Sequence, residues 1–129
     1  MERASLGIYN GTEIQRGLSE LQIQKHFSKM HNGLFEINCY LRSMVQFKKI
    51  NLIDDWPFMP KFDLVLMRNV LLYFNASTKA KILNQLYRQL LDVSSCFIIG
   101  SSESVRFDQS YQLEQLDGVS VYHKKIHQA

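Results

Sequence analysis

A chain of 129 residues with 46% hydrophobic content is sized for one core, and one globular unit is expected. Its formal charge of +3 comes from 15 basic and 12 acidic residues with no block of like sign, which gives only weak attraction to nucleic acid or acidic membranes. The opening MERASLGIYN lacks the apolar stretch of a secretory signal, and runs such as VLL and CFII are far too short to cross a bilayer, so a cytoplasmic location is expected.

Cys39 and Cys96 stand far apart with no neighbouring Cys or metal-spaced His, so free thiols are expected, with no disulfide framework and no metal site. Asn10-Gly11-Thr12 and Asn75-Ala76-Ser77 match the glycosylation acceptor pattern, but without a secretory signal both read as turn or cap residues. Ser19 has Gln22 three residues on, the capping-box spacing, and Leu18 with Ile23 occupy staple positions. A helix over residues 20–29 is expected, with Ile23 and Phe27 on its core face and His26 beside them as a satisfied or solvated histidine.

Two strands are expected next, over residues 35–40 and 45–51, because VQFKKIN places Val45, Phe47 and Lys49 on one face and Gln46 and Lys48 on the other. Trp56-Pro57 and Met59-Pro60 then punctuate a loop. Residues 62–67, FDLVLM, form an almost continuous apolar run, as expected for a central parallel strand covered on both faces. Arg68 and Asn69 follow at its carboxyl end, where open α/β sheets bind ligands.

Asn75 or Ser77 caps the next predicted helix, in which Ile82, Leu86 and Leu90 recur at helical spacing and Leu83 and Leu91 widen the stripe. Residues 96–100, CFIIG, read as a buried strand, and two short runs around Asp117-Gly118 read as a terminal antiparallel hairpin. The order implies an α/β sandwich with an antiparallel edge on a mostly parallel sheet, an architecture that many nucleotide-binding proteins share.

From Glu2-Arg3-Ala4 and Gly7-Ile8-Tyr9 to the terminal hairpin, the chain resembles the chemotaxis-receptor glutamate methyltransferases, the CheR family. The blocks that carry the resemblance are Val45-Gln46-Phe47 with Asn51-Leu52, then Phe62-Asp63 leading into Arg68-Asn69-Val70-Leu71-Leu72-Tyr73-Phe74, and Gly100-Ser101-Ser102-Glu103-Ser104. The resemblance implies a class I, Rossmann-like methyltransferase fold and S-adenosylmethionine as cofactor, with S-adenosylhomocysteine as product. It implies cofactor contacts at Asn51 and Leu52, around the adenosine, and at Arg68 and Asn69, with Tyr73 near the reacting methyl and Arg68 and Tyr73 as the catalytic pair. Core packing is the other reading of Leu52 and Tyr73. Capping of the next helix, or neutralisation of a carboxylate, is the other reading of Arg68-Asn69.

The implied reaction is methyl transfer to glutamate carboxylates on a methyl-accepting chemotaxis receptor. Family members carry upstream a helical domain, the first sheet strand with its glycine-containing loop, and a second strand ending in an acidic residue, none of which this sequence includes. A partial fold is therefore expected, with an open strand edge that invites a homo-oligomer, a missing-half partner, a rearranged sheet or poor solubility. By the same resemblance Met1 is expected to be an internal methionine within a helix. At residues 92–95 the family usually has a proline-and-glycine turn, so either strain or a different turn is expected. Residues 31–38, where some relatives carry a small receptor-docking sheet, are short here. The rival reading is a noncatalytic methyltransferase-fold remnant that acts as a regulatory or receptor-interaction domain.

Overall fold

The computed structural model describes residues 2–105 and 108–125. Where one globular unit was expected, the chain divides into two compact units, residues 1–49 and 50–129.

The first unit is built on a three-stranded antiparallel sheet. Its elements are α1 (Glu2–Leu6), β1 (Ile8–Tyr9), α2 (Gly11–Gln15), α3 (Glu20–His26), β2 (Phe27–Lys29), β3 (Phe35–Ile37) and α4 (Cys39–Ser43), with strand order β1-β3-β2. Short polar side chains start α2, α3 and α4. Asn10 and Ser19 close capping boxes with Glu13 and Gln22, and Asn38 accepts the Leu41 N–H at 2.9 Å. Arg42 ties α4 back to the sheet, donating to the Leu6 carbonyl at 2.9 Å and approaching Glu36 at 3.4 Å.

Three sequence expectations are corrected here. The helix foreseen over residues 20–29 stops at His26, because Phe27 turns extended, pairs with Ile37 and sets its ring edge-on to Tyr9 at 6.0 Å. That cross-strand aromatic contact outweighs the helical spacing of Ile23 and Phe27. The strand foreseen over residues 35–40 ends at Ile37 because Asn38 starts a helix. Residues 45–51 are irregular, with Val45 and Phe47 exposed; alternation supplies an apolar face, but among the described residues no strand pairs with their backbone.

The second unit contains β4 (Leu64–Met67), α5 (Ala76–Gln89), β5 (Cys96–Ile99), β6 (Tyr111–Leu116) and β7 (Val119–Lys124), with sheet order β4-β5-β7-β6. Only β4 and β5 are parallel, Leu64 facing Cys96 and Met67 facing Ile99; the other two pairs are antiparallel. The mostly parallel sheet is thus corrected among the described residues. One helical crossover yields one parallel pair, whereas the two-residue turn at Asp117-Gly118 forces its strands antiparallel. Both turn residues have positive φ, 47° and 82°, the pairing that a tight twisted hairpin demands.

Asn75 caps α5 by accepting the Thr78 N–H at 2.9 Å. Both acceptor-like sites, Asn10 and Asn75, are therefore helix caps. Ile82, Leu83, Leu86 and Leu90 are fully buried against Phe97, Tyr111 and Tyr122, each such side chain contributing about 1.5–3 kcal/mol. The Tyr111 hydroxyl donates to the Leu83 carbonyl at 2.6 Å. Leu91 does not widen the stripe. Leu90 leaves the helix to bridge Phe62, Leu91 N–H donates to the Phe62 carbonyl at 3.0 Å, and the Leu91 side chain faces solvent.

The turn at residues 92–95 is unstrained. Asp92 accepts the Ser94 N–H at 2.8 Å and hydroxyl at 2.6 Å, and no residue of the turn has positive φ. The Ser94 side-chain and backbone hydrogen bonds hold the Asp92 carboxyl below its ordinary value. Cys39 and Cys96 are free thiols.

Strand β4 is not the central strand covered on both faces that its apolar run suggested; an open strand edge was the expectation drawn from the resemblance. It lies at the edge of its sheet among the described residues, and Leu64 and Leu66 are 52% and 69% exposed. Only its other face, through Met67 and the half-buried Val65, joins the core.

Candidate functional site at the carboxyl ends of the parallel strands

The parallel pair delivers two loops to the same end of the sheet. After β4 the chain runs through Arg68 to Asn69, which adopts a left-handed conformation with φ 58°, and enters a short 3-10 turn at Leu71–Tyr73. Asn is among the few residues other than Gly that visit this region readily. Leu71 is 2% exposed and anchors the turn in the core, while Tyr73 is 78% exposed.

After β5 the chain reaches Gly100 and Glu103. The Glu103 carboxylate accepts the N–H groups of Asn69 and Gly100, each at 2.7 Å, and those of Val70 and Leu72, each at 3.1 Å. Partial burial raises the Glu103 carboxyl, but the backbone donors, Gly100 and Asn69 foremost, outweigh it and hold the group below its ordinary value. Gly100 is required by close approach. A Cβ there would sit 2.4 Å from the Asn69 Oδ1 and 2.7 Å from the Glu103 Oε2.

Arg68 is exposed and borders a cleft of about 270 Å³ formed with Ile98, Gly100, Ser101 and residues 118–120. Among the described residues no carboxylate pairs with its guanidinium. The two structural readings of Arg68-Asn69 are thereby excluded in their simple form. Asn75, not Asn69, caps α5, and the nearby carboxylate of Glu103 meets the Asn69 backbone rather than the Arg68 side chain.

Asn51 and Leu52 sit on a separate loop. The Asn51 amide donates to Asp54 at 2.8 Å, and its carbonyl oxygen accepts the Ile53 N–H at 3.2 Å. Leu52 is half-buried against the core, as its packing reading foresaw, and its carbonyl accepts the Trp56 indole N–H at 3.2 Å. Gln85 of α5 holds this loop in place, donating to the Asp54 carbonyl at 2.9 Å and accepting the Trp56 N–H at 2.8 Å. The structure thus gathers Arg68, Asn69 and Tyr73 on one clamped stretch and fastens the loop that carries Asn51 and Leu52 to α5 through the Leu52 and Asp54 carbonyls; neither Asn51 nor Leu52 borders the Arg68 cleft.

Sequence reasoning assigned no role to Glu103 or Gln85. The Gly100-Ser101-Ser102-Glu103 block carried the signal, a glycine ending a buried strand and an acid three residues later, but the partner loop lies more than thirty residues away in sequence. A larger hollow of about 700 Å³ lies on β6 and β7, lined by Gln112, Glu114, His123 and Lys124, with His123 Nε2 2.9 Å from Glu114. His123 pairs with Cys96, the first residue of β5, so this hollow lies at the end of the sheet opposite Arg68.

The CheR methyltransferase, SAM binding domain model matches residues 1–121. The chain is 34% identical over 120 residues to chemotaxis protein methyltransferase Cher2 of Pseudomonas putida, covering 92% of this chain and 43% of that one. It is 33% identical to chemotaxis protein methyltransferase 1 of Pseudomonas aeruginosa, covering 95% and 44%, and 34% identical to the chemotaxis protein methyltransferase of Borreliella burgdorferi, covering 87% and 39%. It spans about two fifths of the length of these curated relatives. The chain belongs to the CheR methyltransferase family, within its SAM-binding domain.

Proposed function

We propose that this chain contributes to S-adenosylmethionine-dependent methylation of glutamate carboxylates on chemotaxis receptors, as part of a longer or complemented cytoplasmic enzyme. The observation that carries the reading is the Arg68 guanidinium, without a carboxylate partner among the described residues, on a clamped loop at the carboxyl ends of β4 and β5, within a chain of this family. Open α/β sheets bind ligands at that end.

The residues present fit the cofactor. A zwitterionic amino-acid sulfonium needs a cationic donor for its carboxylate, and Arg68, with no carboxylate partner among the described residues, would be that donor. Gly100 lets the two loops that frame the cleft pack against each other, the space beside it being filled by Asn69 Oδ1 and the Glu103 carboxylate. Asn51 and Leu52, held by Gln85, would flank the adenosine, and exposed Tyr73 would face the reacting group. When bound, S-adenosylmethionine supplies an electrophilic methyl group on sulfur.

The accepting carboxylate is already ionised at about pH 7, so no strong general base is needed. Arg68, Asn69 and Tyr73 serve to orient, and alignment of this kind lowers a barrier by about 7–11 kcal/mol. The open apolar edge of β4 supports a further protein segment, or a second chain, pairing there.

Grafting residues 1–121 in place of the matching segment of the Pseudomonas putida relative tests the reading. With labelled S-adenosylmethionine and a receptor cytoplasmic fragment, a folded chimera should deposit label that alkali releases as methanol, the signature of a methyl ester. Label that resists alkali, or a folded chimera that deposits none, would sink it.

A further inference from the structure

One carboxylate, Glu103, is the acceptor for four backbone amides drawn from two loops. Its Oε2 joins Asn69 to Gly100, and its Oε1 joins Val70 to Leu72, so each oxygen serves two donors. The left-handed turn at Asn69 reverses the chain and lets the amides of residues 69, 70 and 72 converge on one point. Converging amides of this kind form an anion-binding concavity, and here the anion is built into the protein.

The grip falls at both ends of the functional stretch. Asn69 directly follows Arg68, and Leu72 directly precedes Tyr73, so the backbone on the inner side of each is fixed to the same group. The Gly100 bond also ties this stretch to the carboxyl end of β5, which sets the spacing of the two loops. No side chain of the stretch performs this task, since Asn69 engages Glu103 through its backbone.

We propose that Glu103 is a positioning residue for the cofactor site, acting through the backbone of residues 69–72 to aim Arg68 and Tyr73 rather than touching cofactor or substrate itself. This rests on the cofactor reading above. A carboxylate is required because all four partners are donors; an amide of the same shape would turn its own NH2 toward N–H groups.

The test uses the full chain and S-adenosylhomocysteine, with amide hydrogen exchange read alongside calorimetry. Glu103→Gln should weaken binding at least tenfold and accelerate exchange at Asn69, Val70, Leu72 and Gly100, leaving the amides of the β6 and β7 ladder protected. Leu83→Val, a core truncation on α5, should lower thermal stability without loss of affinity, which separates positioning from general destabilisation. Should Glu103→Gln fail to fold, Glu103→Asp decides, with weakened binding at near-parental stability supporting the role. Parental affinity in whichever Glu103 variant folds overturns the proposal, as does faster exchange spread evenly over the sheet. Lack of binding by the parent chain instead sinks the reading that this chain by itself retains a cofactor site, on which the proposal stands.

Discussion

The Glu103 carboxylate lies 2.7 Å from the Asn69 amide nitrogen, joining the loop after one parallel strand to the loop after its neighbour. The closeness of the two loops depends on Gly100. A methyl group in its place would collide with both the Asn69 side chain and the Glu103 carboxylate. Gly100→Ala should therefore destabilise the second unit by about 1–3 kcal/mol, as overpacking of a tight contact does. Urea unfolding followed by near-ultraviolet circular dichroism measures this, and an unchanged midpoint would contradict the contact.

Acid should weaken the same clamp. The Glu103 carboxyl is held below its reference value of 4.5 by its amide donors. A depressed folded value means that its stabilisation is fully present above the unfolded value and is lost as pH falls through the folded one. As pH falls through the lowered value of Glu103, the parent should lose more stability than Glu103→Gln, whose amide at that position takes up no proton. Asp92 is shifted in the same direction and titrates in both proteins, so the difference between the two curves isolates Glu103.

The hairpin turn offers a backbone test. Gly118 has φ 82°, a conformation that costs a residue with a Cβ about 1–2 kcal/mol. Gly118→Ala should lower the thermal midpoint accordingly, and an equal or higher midpoint would show that the turn relaxes into another form.

How much of this was legible in the sequence depends on whether the signal was local. The caps at Asn10, Ser19 and Asn75, the buried stripe of α5 and the turn at Asp117-Gly118 were readable because each is decided within a few residues. Residues 45–51 have the alternation of a strand but no partner among the described residues, and alternation cannot reveal that. Phe27 was misread because its edge-on contact with Tyr9 arises between elements eighteen residues apart. The apolar run of β4 suggested burial on both faces, yet Leu66 is 69% exposed at a sheet edge. At the site, resemblance pointed to Arg68, Asn69 and Tyr73, whereas the carboxylate that holds them came only from the fold.

That exposed edge has a measurable consequence. A charge on an open strand disfavours edge-to-edge pairing, so Leu66→Lys should reduce self-association of the chain with little change in stability, within about 0.5 kcal/mol. Static light scattering over a concentration series reads it. Undiminished association would place the contact elsewhere on the surface.

Calorimetric titration of the full chain with S-adenosylhomocysteine, parent against Arg68→Ala, tests the central claim most directly. The parent should bind at micromolar ligand, a free energy near −8 kcal/mol by the usual conversion of about 1.4 kcal/mol per tenfold, and Arg68→Ala should lose that binding with folding intact. No heat from the parent at millimolar ligand, or equal affinity in the two proteins, would contradict it.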